Sequence, residues 1–334
     1  MTRMTSQETN RYRRKTTTLV LELRAPGGEP VDLWRTLISH GFAELSPTVL
    51  DEEERSLAFT VRVPGGRPRR VRVSEGDHAR ARGHRPRKPQ ARLDVLGPRP
   101  GPNVLRAVLE GTAHILRLDQ DLSSFYVRAA QDPDLAWAAR GAGRMLRSPT
   151  VFEDVVKTVC TTNCAWSATV RMVDALVTHL GDPALGGDGP LSNAFPTPAA
   201  MASAPESFYR DVVRAGYRAA YLRGLAKTVA DGELDLEAFA TATPATLPDA
   251  DLEAALLALP GVGPYAAAHI MMTLGRHSRL ILDSWTRPKY TRLAGRKRPV
   301  PDPQIERRFR PYGEYAGLAF WLYVTRDWVE DETA

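Results

Sequence analysis

The sequence of 334 residues has little cysteine and no long apolar run: the only cysteines are Cys160 and Cys164. Two thiols cannot build a disulfide framework, and an iron–sulfur cluster would need four. The absence of an uninterrupted apolar run of about 20 residues excludes a membrane-spanning helix. No apolar stretch of the signal-peptide type follows Met1. We therefore expect a cytoplasmic protein, with its cysteines as small buried thiols and no iron–sulfur cluster.

Charge of one sign does not dominate either. The sequence has 45 Lys and Arg against 39 Asp and Glu, a net charge of +6. The basic residues concentrate in residues 3–15 and 67–92, and the C-terminal end, residues 327–332, is acidic. This excess permits an acidic partner such as nucleic acid but does not establish one. A solvated loop is the simpler interpretation of the run at 67–92, and its contact with DNA stays an open question.

The apolar pattern changes once along the chain. Residues 1–15 predict a basic, disordered tail. Residues 16–102 alternate apolar and polar side chains, which indicates strands, with one helix at residues 31–41 and a Gly/Pro-rich linker at the end. The pattern is then helical through residues 103–330. The helices are expected at residues 103–118, 121–130, 132–139, 149–163, 167–180, 197–204, 206–215, 219–231, 236–241, 249–257, 266–274 and 312–328. The strand candidates are residues 17–23, 57–63, 70–73 and 91–95. The sequence therefore predicts an α+β fold, an N-terminal antiparallel β-sheet domain followed by an all-α region.

The most informative segment reads Leu-Pro-Gly-Val-Gly at residues 259–263 and lies between two helical patterns. Its glycines permit a tight turn with positive φ and let the backbone approach a ligand closely. Pro264 suits the first turn of the next helix. The N–H groups at a helix start bind anions, and a DNA phosphate is a natural occupant. A plain helix–turn–helix corner is the alternative interpretation.

This segment resembles the helix-hairpin-helix of the HhH-GPD superfamily of DNA glycosylases, in particular 3-methyladenine DNA glycosylase II and the 8-oxoguanine DNA glycosylases. In that family a catalytic aspartate follows the second glycine of the hairpin, and Asp283 stands at the matching distance from Gly263. Further segments that resemble these enzymes are residues 161–163, 195–197, 215–221 and 312–317. The N-terminal region resembles the extra sheet domain of both groups. The resemblance implies a sheet domain followed by a helix-hairpin-helix glycosylase core.

The resemblance also implies a chemistry. A glycosylase flips a damaged base out of duplex DNA before it breaks the glycosidic bond. The sugar then develops positive charge, which a carboxylate facing it stabilises. Asp283 is the implied catalytic residue; its ordinary alternative is a helix N-cap. Contact with the DNA phosphate would come from the hairpin at Gly261, Val262, Gly263 and Tyr265.

The family resemblance bears on lyase activity as well. Bifunctional members carry a lysine nucleophile two residues after the second hairpin glycine, where this sequence has Tyr265. Schiff-base chemistry needs an amine, which a phenol does not provide. We therefore expect a monofunctional enzyme that uses water as its nucleophile. Lys289 is the nearest lysine after Asp283, and it keeps a lyase reaction open as an alternative.

The resemblance places five residues at the base pocket: Tyr265, His269, Trp285, Phe320 and Trp321. Electron-rich aromatic rings stack on cationic methylated bases, and Phe320 stands where 8-oxoguanine enzymes have a glutamine. Both points favour an alkylated purine. For each aromatic residue taken singly, core packing is the alternative.

Three other residues, Asn163, Tyr217 and Arg218, resemble the opposite-strand probes of the 8-oxoguanine enzymes. They favour 8-oxoguanine as the substrate instead, and helix packing or a surface ion pair is their ordinary role. The resemblance also implies a structural Na⁺, K⁺, Mg²⁺ or Ca²⁺ ion bound by backbone carbonyls of the hairpin. By position, its ligands would be the carbonyls of Leu257, Leu259 and Val262. No other cofactor is expected.

The sequence leaves several functions open. The first is a monofunctional DNA glycosylase for an alkylated purine, with 8-oxoguanine removal as the second. A catalytically silent DNA-binding module that senses lesions is the third, although such a module would not need Asp283. A chance hairpin in an unrelated helical protein is the fourth. The expected partner is double-stranded DNA with a damaged base, bound by a monomer in contact with the bacterial nucleoid.

Overall fold

The computed structural model describes residues 16–76 and 89–328. The predicted tail at residues 1–15 lies outside this range, as do residues 77–88 of the basic run and residues 329–334. Within the described range, no helix is long and apolar enough to span a membrane.

The N-terminal region forms one five-stranded antiparallel sheet, with the strands in the order β1-β5-β4-β3-β2. The strands are β1 Thr16–Glu22, β2 Val49–Asp51, β3 Ser56–Val61, β4 Arg69–Glu75 and β5 Gln90–Leu96. Strands β1 and β5 pair along their whole length, from Thr16 opposite Leu96 to Glu22 opposite Gln90. The sequence pattern predicted all of these strands except β2, which is too short to show an alternation.

Thirteen α-helices occur in the described residues, and together with the sheet they confirm the predicted α+β fold. They are α1 Leu33–Leu37, α2 Pro102–Ile115, α3 Ser123–Ala129, α4 Val151–Thr161, α5 Trp166–Leu180, α6 Pro198–Ser203, α7 Arg218–Ala230, α8 Ala238–Thr241, α9 Asp249–Leu257, α10 Pro264–Thr273, α11 Thr286–Leu293, α12 Asp302–Phe309 and α13 Ala316–Thr325.

Four helical assignments differ from the sequence prediction. The expected helix at residues 132–139 is a 3-10 helix at Ala136–Arg140, and the one at residues 206–215 is a π-helix at Phe208–Val212. Helices α11 and α12 were missed, because both are short and rich in arginine and therefore lack a long apolar stripe.

Helices α1 and α2 cover the inner face of the sheet, where Leu37, Phe59, Val71 and Leu93 are fully buried or nearly so. A second core surrounds α4, α5, α7 and α10, and a third contains α12 and α13. Cys160 is buried in the second core, whereas Cys164 lies beyond the end of α4 and is exposed, so the expectation of a buried thiol is wrong for Cys164. The segment after α2 ties the sheet to the second core. There the guanidinium of Arg117 donates to the carbonyls of Thr273, at 2.8 Å, and Leu274, at 2.9 Å. A cation is thus fixed at the C-terminal end of α10, which stabilises that helix and fixes its position.

Candidate active site and nucleic-acid interface

The predicted hairpin joins α9 to α10, with Gly263 as the N-cap of α10. Gly261 has a φ of +81°, and a Cβ there would lie 2.8 Å from the ring of Tyr221, so only glycine fits. Gly263 faces open space, since a Cβ built on it would meet no heavy atom within 4 Å. No side chain caps α10, which leaves the N–H groups of its first turn open to an anion. That this anion is a DNA phosphate stays a prediction.

Asp283 lies at the start of α11 and caps it. Its Oδ1 accepts from the N–H groups of Trp285, at 2.9 Å, and Thr286, at 2.6 Å. The N–H of Asp283 in turn donates to Thr286 Oγ1 at 2.9 Å. No hydrogen bond to Oδ2 occurs among the described residues. The ordinary N-cap role is therefore present, and it leaves the second carboxylate oxygen of this half-buried residue for other chemistry.

Tyr265, on the first turn of α10, is close to Asp283. Burial raises the pKa of Tyr265, and the negative charge of Asp283 contributes to the same shift. The Tyr265 hydroxyl lies 3.3 Å from Thr161 Oγ1 at the end of α4. The hairpin, the phenol and the aspartate therefore share one region of the surface.

His269 lies one turn further along α10, and its ring centroid is 6.2 Å from that of Tyr265. Its Nδ1 is 3.3 Å from Thr158 Oγ1 of α4. The side chain is buried, and burial lowers its pKa to about 3, so the ring is neutral near pH 7.

The residues around His269 include a contribution from the N-terminal region that the sequence analysis did not identify. The rings of His40 and Phe42 pack against His269 at centroid distances of 5.4 and 4.9 Å. His40 Nε2 donates to the Leu146 carbonyl at 2.6 Å, which leaves Nδ1 buried without a partner. The sequence carries no signal for this contact, because residues 40 and 269 meet only through the docking of the sheet region on α10.

An aromatic cluster lies beside Asp283 and joins α11 to the end of α13. The ring centroid of Trp285 is 6.0 Å from that of Trp321 and 5.8 Å from that of Trp328. Trp321 is buried and donates from Nε1 to the Ser39 carbonyl at 2.8 Å. Trp285 and Trp328 are about two-fifths exposed, 42% and 39%. The structure thus brings two predicted pocket residues together and adds Trp328, which the sequence analysis did not name.

Phe320 occupies a different environment. Its side chain is completely buried, and its ring packs against Phe309 at 5.5 Å and Tyr290 at 6.2 Å. In this structure it therefore belongs to the core between α11, α12 and α13, which is the packing role that was its alternative. Its contact with a base stays a prediction, and it would require movement of these helices.

The three predicted opposite-strand probes lie together, at the end of α4 and the start of α7. Asn163 has a φ of +47°, and its Nδ2 donates to the Tyr217 hydroxyl at 3.3 Å. Tyr217 is 54% exposed, with the Arg218 guanidinium 4.5 Å from its ring centroid. Arg218 itself is buried and donates to the carbonyl and hydroxyl of Thr162. Asn163 and Tyr217 are thus available to a ligand, whereas Arg218 mainly holds the turn.

This surface is continuous with the hairpin. Tyr221 packs edge-to-face on Tyr217 at 6.0 Å, and the same Tyr221 ring is the one that a Cβ at Gly261 would meet. One exposed strip therefore runs from Asn163 through the two tyrosines to the hairpin.

The hairpin carbonyls are candidate ligands for a cation. The Leu259 carbonyl accepts from the Val262 N–H at 3.1 Å, and it retains a second lone pair. No turn or loop backbone hydrogen bond reaches the carbonyls of Leu257 or Val262 in the described chain. Oxygen donors of this kind suit Na⁺, K⁺, Mg²⁺ or Ca²⁺. In residues 16–76 and 89–328 no group of three His, Cys, Asp or Glu could hold a metal.

Lys289 is bound to an acidic partner. Its Nζ lies 2.7 and 2.5 Å from the two carboxylate oxygens of Asp327, and 5.7 Å from the ring centroid of Trp285. The lysine hydrogen bond is the main cause that lowers the pKa of Asp327. The pair links α11 to the segment after α13.

Comparison with known proteins gives structural matches only. No family model matches the chain, and no curated protein matches it in sequence. Among solved structures it is similar to a 3-methyladenine DNA glycosylase from Archaeoglobus fulgidus, at 17% identity and a TM-score of 0.68, with 93% of this chain and 100% of the other covered. It is also similar to MBOgg1 in complex with a low-affinity DNA ligand, at 19% identity and a TM-score of 0.65, with 93% and 96% covered.

A third similar structure is the Clostridium acetobutylicum 8-oxoguanine glycosylase/lyase in complex with double-stranded DNA that contains cytosine opposite 8-oxoguanine. It matches at 20% identity and a TM-score of 0.58, with 80% of this chain and 88% of the other covered. Matches at such identities show a shared fold. They confirm that the chain has the fold that its hairpin and aspartate led us to expect.

Proposed function

We propose that this chain is a monofunctional DNA glycosylase of base excision repair. It would flip a damaged purine out of duplex DNA and hydrolyse its N-glycosidic bond. The observation that carries the proposal is Asp283, whose Oδ1 caps α11 while Oδ2 has no hydrogen bond in the described residues. This carboxylate lies beside Tyr265, on the first turn of a helix whose start is open to a phosphate. The fold shared with DNA glycosylases supports the same class.

In the proposed reaction, the backbone N–H groups at Gly263 and Tyr265 bind a DNA phosphate, and Gly261 and Val262 shape the turn. This contact positions the sugar, and the flipped base enters the region of Tyr265 and His269. As the glycosidic bond breaks, its electron pair leaves with the base and the sugar becomes positively charged. Asp283 stabilises that charge and accepts a proton from the attacking water.

We propose an alkylated purine as the substrate. The support is the aromatic cluster of Trp285 and Trp321, because electron-rich rings stabilise a cationic methylated base. Trp285 is partly exposed and lies two residues after Asp283, so its ring is within reach of a base whose sugar contacts that carboxylate. The similar Archaeoglobus structure is of a 3-methyladenine enzyme, in line with this choice.

An 8-oxoguanine enzyme is the second candidate, and a specific observation favours it. Asn163 and the exposed Tyr217 form a polar strip connected to the hairpin, suited to touch the partner of a flipped base. Two of the similar structures are MBOgg1 and an 8-oxoguanine glycosylase/lyase. A silent lesion sensor is disfavoured, since it would have no use for the open oxygen of Asp283.

The absence of lyase activity is part of the proposal. Tyr265 stands at the position of the lysine nucleophile and provides no amine. Lys289 is held in a double contact with Asp327, so its amine is already bound to a carboxylate. A similar solved structure is a glycosylase/lyase, so the fold is compatible with both hydrolysis and lyase chemistry. The difference between the two activities must therefore lie in the side chains of the site.

The proposed partner is double-stranded DNA containing a damaged base, bound by a monomer in the cytoplasm, in contact with the nucleoid. The carbonyls of Leu257, Leu259 and Val262 would hold a cation that bridges the hairpin to the phosphate. That ion would be structural, and Asp283 would carry the chemistry.

The test is a release assay on duplexes carrying 3-methyladenine, 7-methylguanine, hypoxanthine, ethenoadenine or 8-oxoguanine. We expect the purified protein to release at least one base and to leave an abasic site. Asp283→Asn keeps the cap oxygen and should bind the same duplex while losing release by about 100-fold or more. Release by this variant at the wild-type rate would remove Asp283 from the mechanism. No release from any duplex by the wild-type protein would overturn the proposed function.

A further inference from the structure

Two threonines of α4 face Tyr265 and His269 of α10 in matched pairs. Thr161 Oγ1 lies 3.3 Å from the Tyr265 hydroxyl, and Thr158 Oγ1 lies 3.3 Å from Nδ1 of His269. Each threonine also lies 2.7 Å from a backbone carbonyl of its own helix, Thr161 from Thr158 and Thr158 from Asp154. The two pairs therefore show the same two distances, about one turn apart.

The number of protons decides the direction of each bond. A threonine hydroxyl carries one proton, and the short contact to the carbonyl uses it, because a carbonyl can only accept. Each Oγ1 therefore acts as an acceptor toward α10. The donor must be the Tyr265 hydroxyl in one pair and an Nδ1–H of His269 in the other. Both residues then turn lone pairs, rather than protons, toward any ligand.

Two neighbouring side chains that carry donors, His40 and Lys157, are hydrogen-bonded to other groups. His40 uses its Nε2–H on Leu146, so the nitrogen that remains, Nδ1, is another lone pair. Lys157 donates to Glu153 at 2.7 Å in a buried pair. His269 is neutral near pH 7, because burial lowers its pKa. In the described residues no hydrogen bond reaches Nε2 of His269, so this nitrogen is the natural acceptor for a ligand.

We propose that Tyr265 and His269 form an acceptor-only face, which selects a flipped base with N–H donors on the edge turned toward α10. This inference rests on the proposed function and deepens it by naming the substrate class. A base that presents a lone pair to the face would leave two acceptors in contact without a proton between them. Such a mismatch at a polar site costs about 10- to 100-fold in affinity or rate.

The candidate lesions differ in this property. 7-Methylguanine and 8-oxoguanine carry ring and exocyclic N–H donors, and hypoxanthine carries one ring N–H. Ethenoadenine has none, because its exocyclic nitrogen is part of the added ring. The face therefore predicts that ethenoadenine is rejected, although it is a flat purine derivative that would stack on the same aromatic rings.

The first experiment compares single-turnover release from duplexes carrying these four bases. We expect at least one donor-bearing base to be released about 10- to 100-fold faster than ethenoadenine. Equal or faster release of ethenoadenine overturns the inference and leaves the glycosylase proposal standing. No release of any base would overturn the proposed function, and the substrate class would fall with it.

The second experiment changes the direction of one bond. Thr158→Val removes the acceptor of the Nδ1 proton, so His269 can carry its proton on Nε2 instead. We expect the preference over ethenoadenine to shrink by about tenfold, and Thr158→Ser to restore it. Thr112→Val is the matched control, since Thr112 is a buried helical threonine that donates to the Val108 carbonyl. An unchanged preference in Thr158→Val would contradict the inference.

The third measurement does not depend on activity. NMR of protein with ¹⁵N-labelled histidine reports which ring nitrogen carries the proton, and His269→Gln identifies the signal of His269. We expect the Nδ1–H form in the wild-type protein and a shift toward Nε2–H in Thr158→Val. The Nε2–H form in the wild-type protein would overturn the acceptor-only face whatever the release assay shows.

Discussion

Asp283 and Thr286 cap each other. The Thr286 N–H donates to Asp283 Oδ1 at 2.6 Å, and the Thr286 hydroxyl oxygen accepts from the Asp283 N–H at 2.9 Å. The Thr286 hydroxyl donates in turn to the Ile281 carbonyl at 2.7 Å. The carboxylate is therefore held by its own backbone and by α11, which fixes where Oδ2 points. A preorganised charge of this kind stabilises a transition state without reorganisation.

This relationship separates the stability of the site from its chemistry. Asp283→Asn retains an oxygen for the cap, so we expect its free energy of unfolding to stay within about 0.5 kcal/mol of the wild type. Asp283→Ala removes the cap and should cost about 1 kcal/mol. Urea unfolding measures both. Equal stability of the two variants would show that the cap contributes nothing.

The Lys289–Asp327 pair leads to a prediction about covalent chemistry. A Schiff base needs a neutral amine at the sugar, whereas Lys289 is ion-paired and lies beside Trp285. Borohydride added during turnover should therefore trap no protein–DNA adduct, in the wild type or in Lys289→Ala. A wild-type adduct that disappears in Lys289→Ala would establish Lys289 as a nucleophile and contradict the monofunctional proposal.

The sequence was informative where one local segment specifies the structure. The turn at 259–263 could be predicted from its glycines, and Asp283 from the family resemblance, because the turn and the cap depend on residues close in the chain. The meeting of His40 with His269 depends on long-range docking of the sheet region on α10, which no local pattern encodes. The same holds for Trp328, which joins Trp285 only through the packing of α11 against α13. Phe320 was placed at the base pocket by alignment, but its side chain packs in the core. An aligned position does not tell which way a helix turns a side chain.

Buried histidines give the stability of this protein a pH dependence. Burial lowers the pKa of His40 and His114 to about 4, and of His269 and His277 to about 3, from 6.5. The unfolded chain therefore binds more protons below pH 6.5, so the stability present above pH 6.5 is lost as the pH falls toward 4. Each group contributes at most about 1.4 kcal/mol per pH unit. Burial raises the pKa of Asp154 to about 6, so this carboxyl group makes the folded state more stable as the pH falls. It is one group, and the four histidines outweigh it.

The measurement is the free energy of urea unfolding between pH 7 and pH 4.5. We expect it to decrease, and we expect the slope to become shallower by up to about 1.4 kcal/mol per pH unit in His40→Asn. His179→Asn, at an exposed histidine of α5, is the matched control. A stability that stays constant or rises on acidification would contradict the prediction.

The two hairpin glycines give a matched pair of variants, because Gly261 is required by the backbone conformation and Gly263 by access of a phosphate. Gly261 has a φ of +81° and no room beside Tyr221, so Gly261→Ala should lower stability by about 1–2 kcal/mol. Gly263 has ordinary backbone angles and open space, so Gly263→Ala should fold with nearly wild-type stability. Its methyl group would occupy the space into which a phosphate must come, and DNA affinity should fall about tenfold.

Binding should therefore be measured for both variants as a function of salt. The affinity of the wild type should decrease steeply with salt, because each phosphate contact releases counterions. Gly263→Ala should show a weaker salt dependence, by about one phosphate, as well as the lower affinity. If Gly263→Ala bound DNA like the wild type with the same salt slope, the hairpin would not be the phosphate site. The anion would then have to bind elsewhere on the strip that runs from Asn163 to Tyr221.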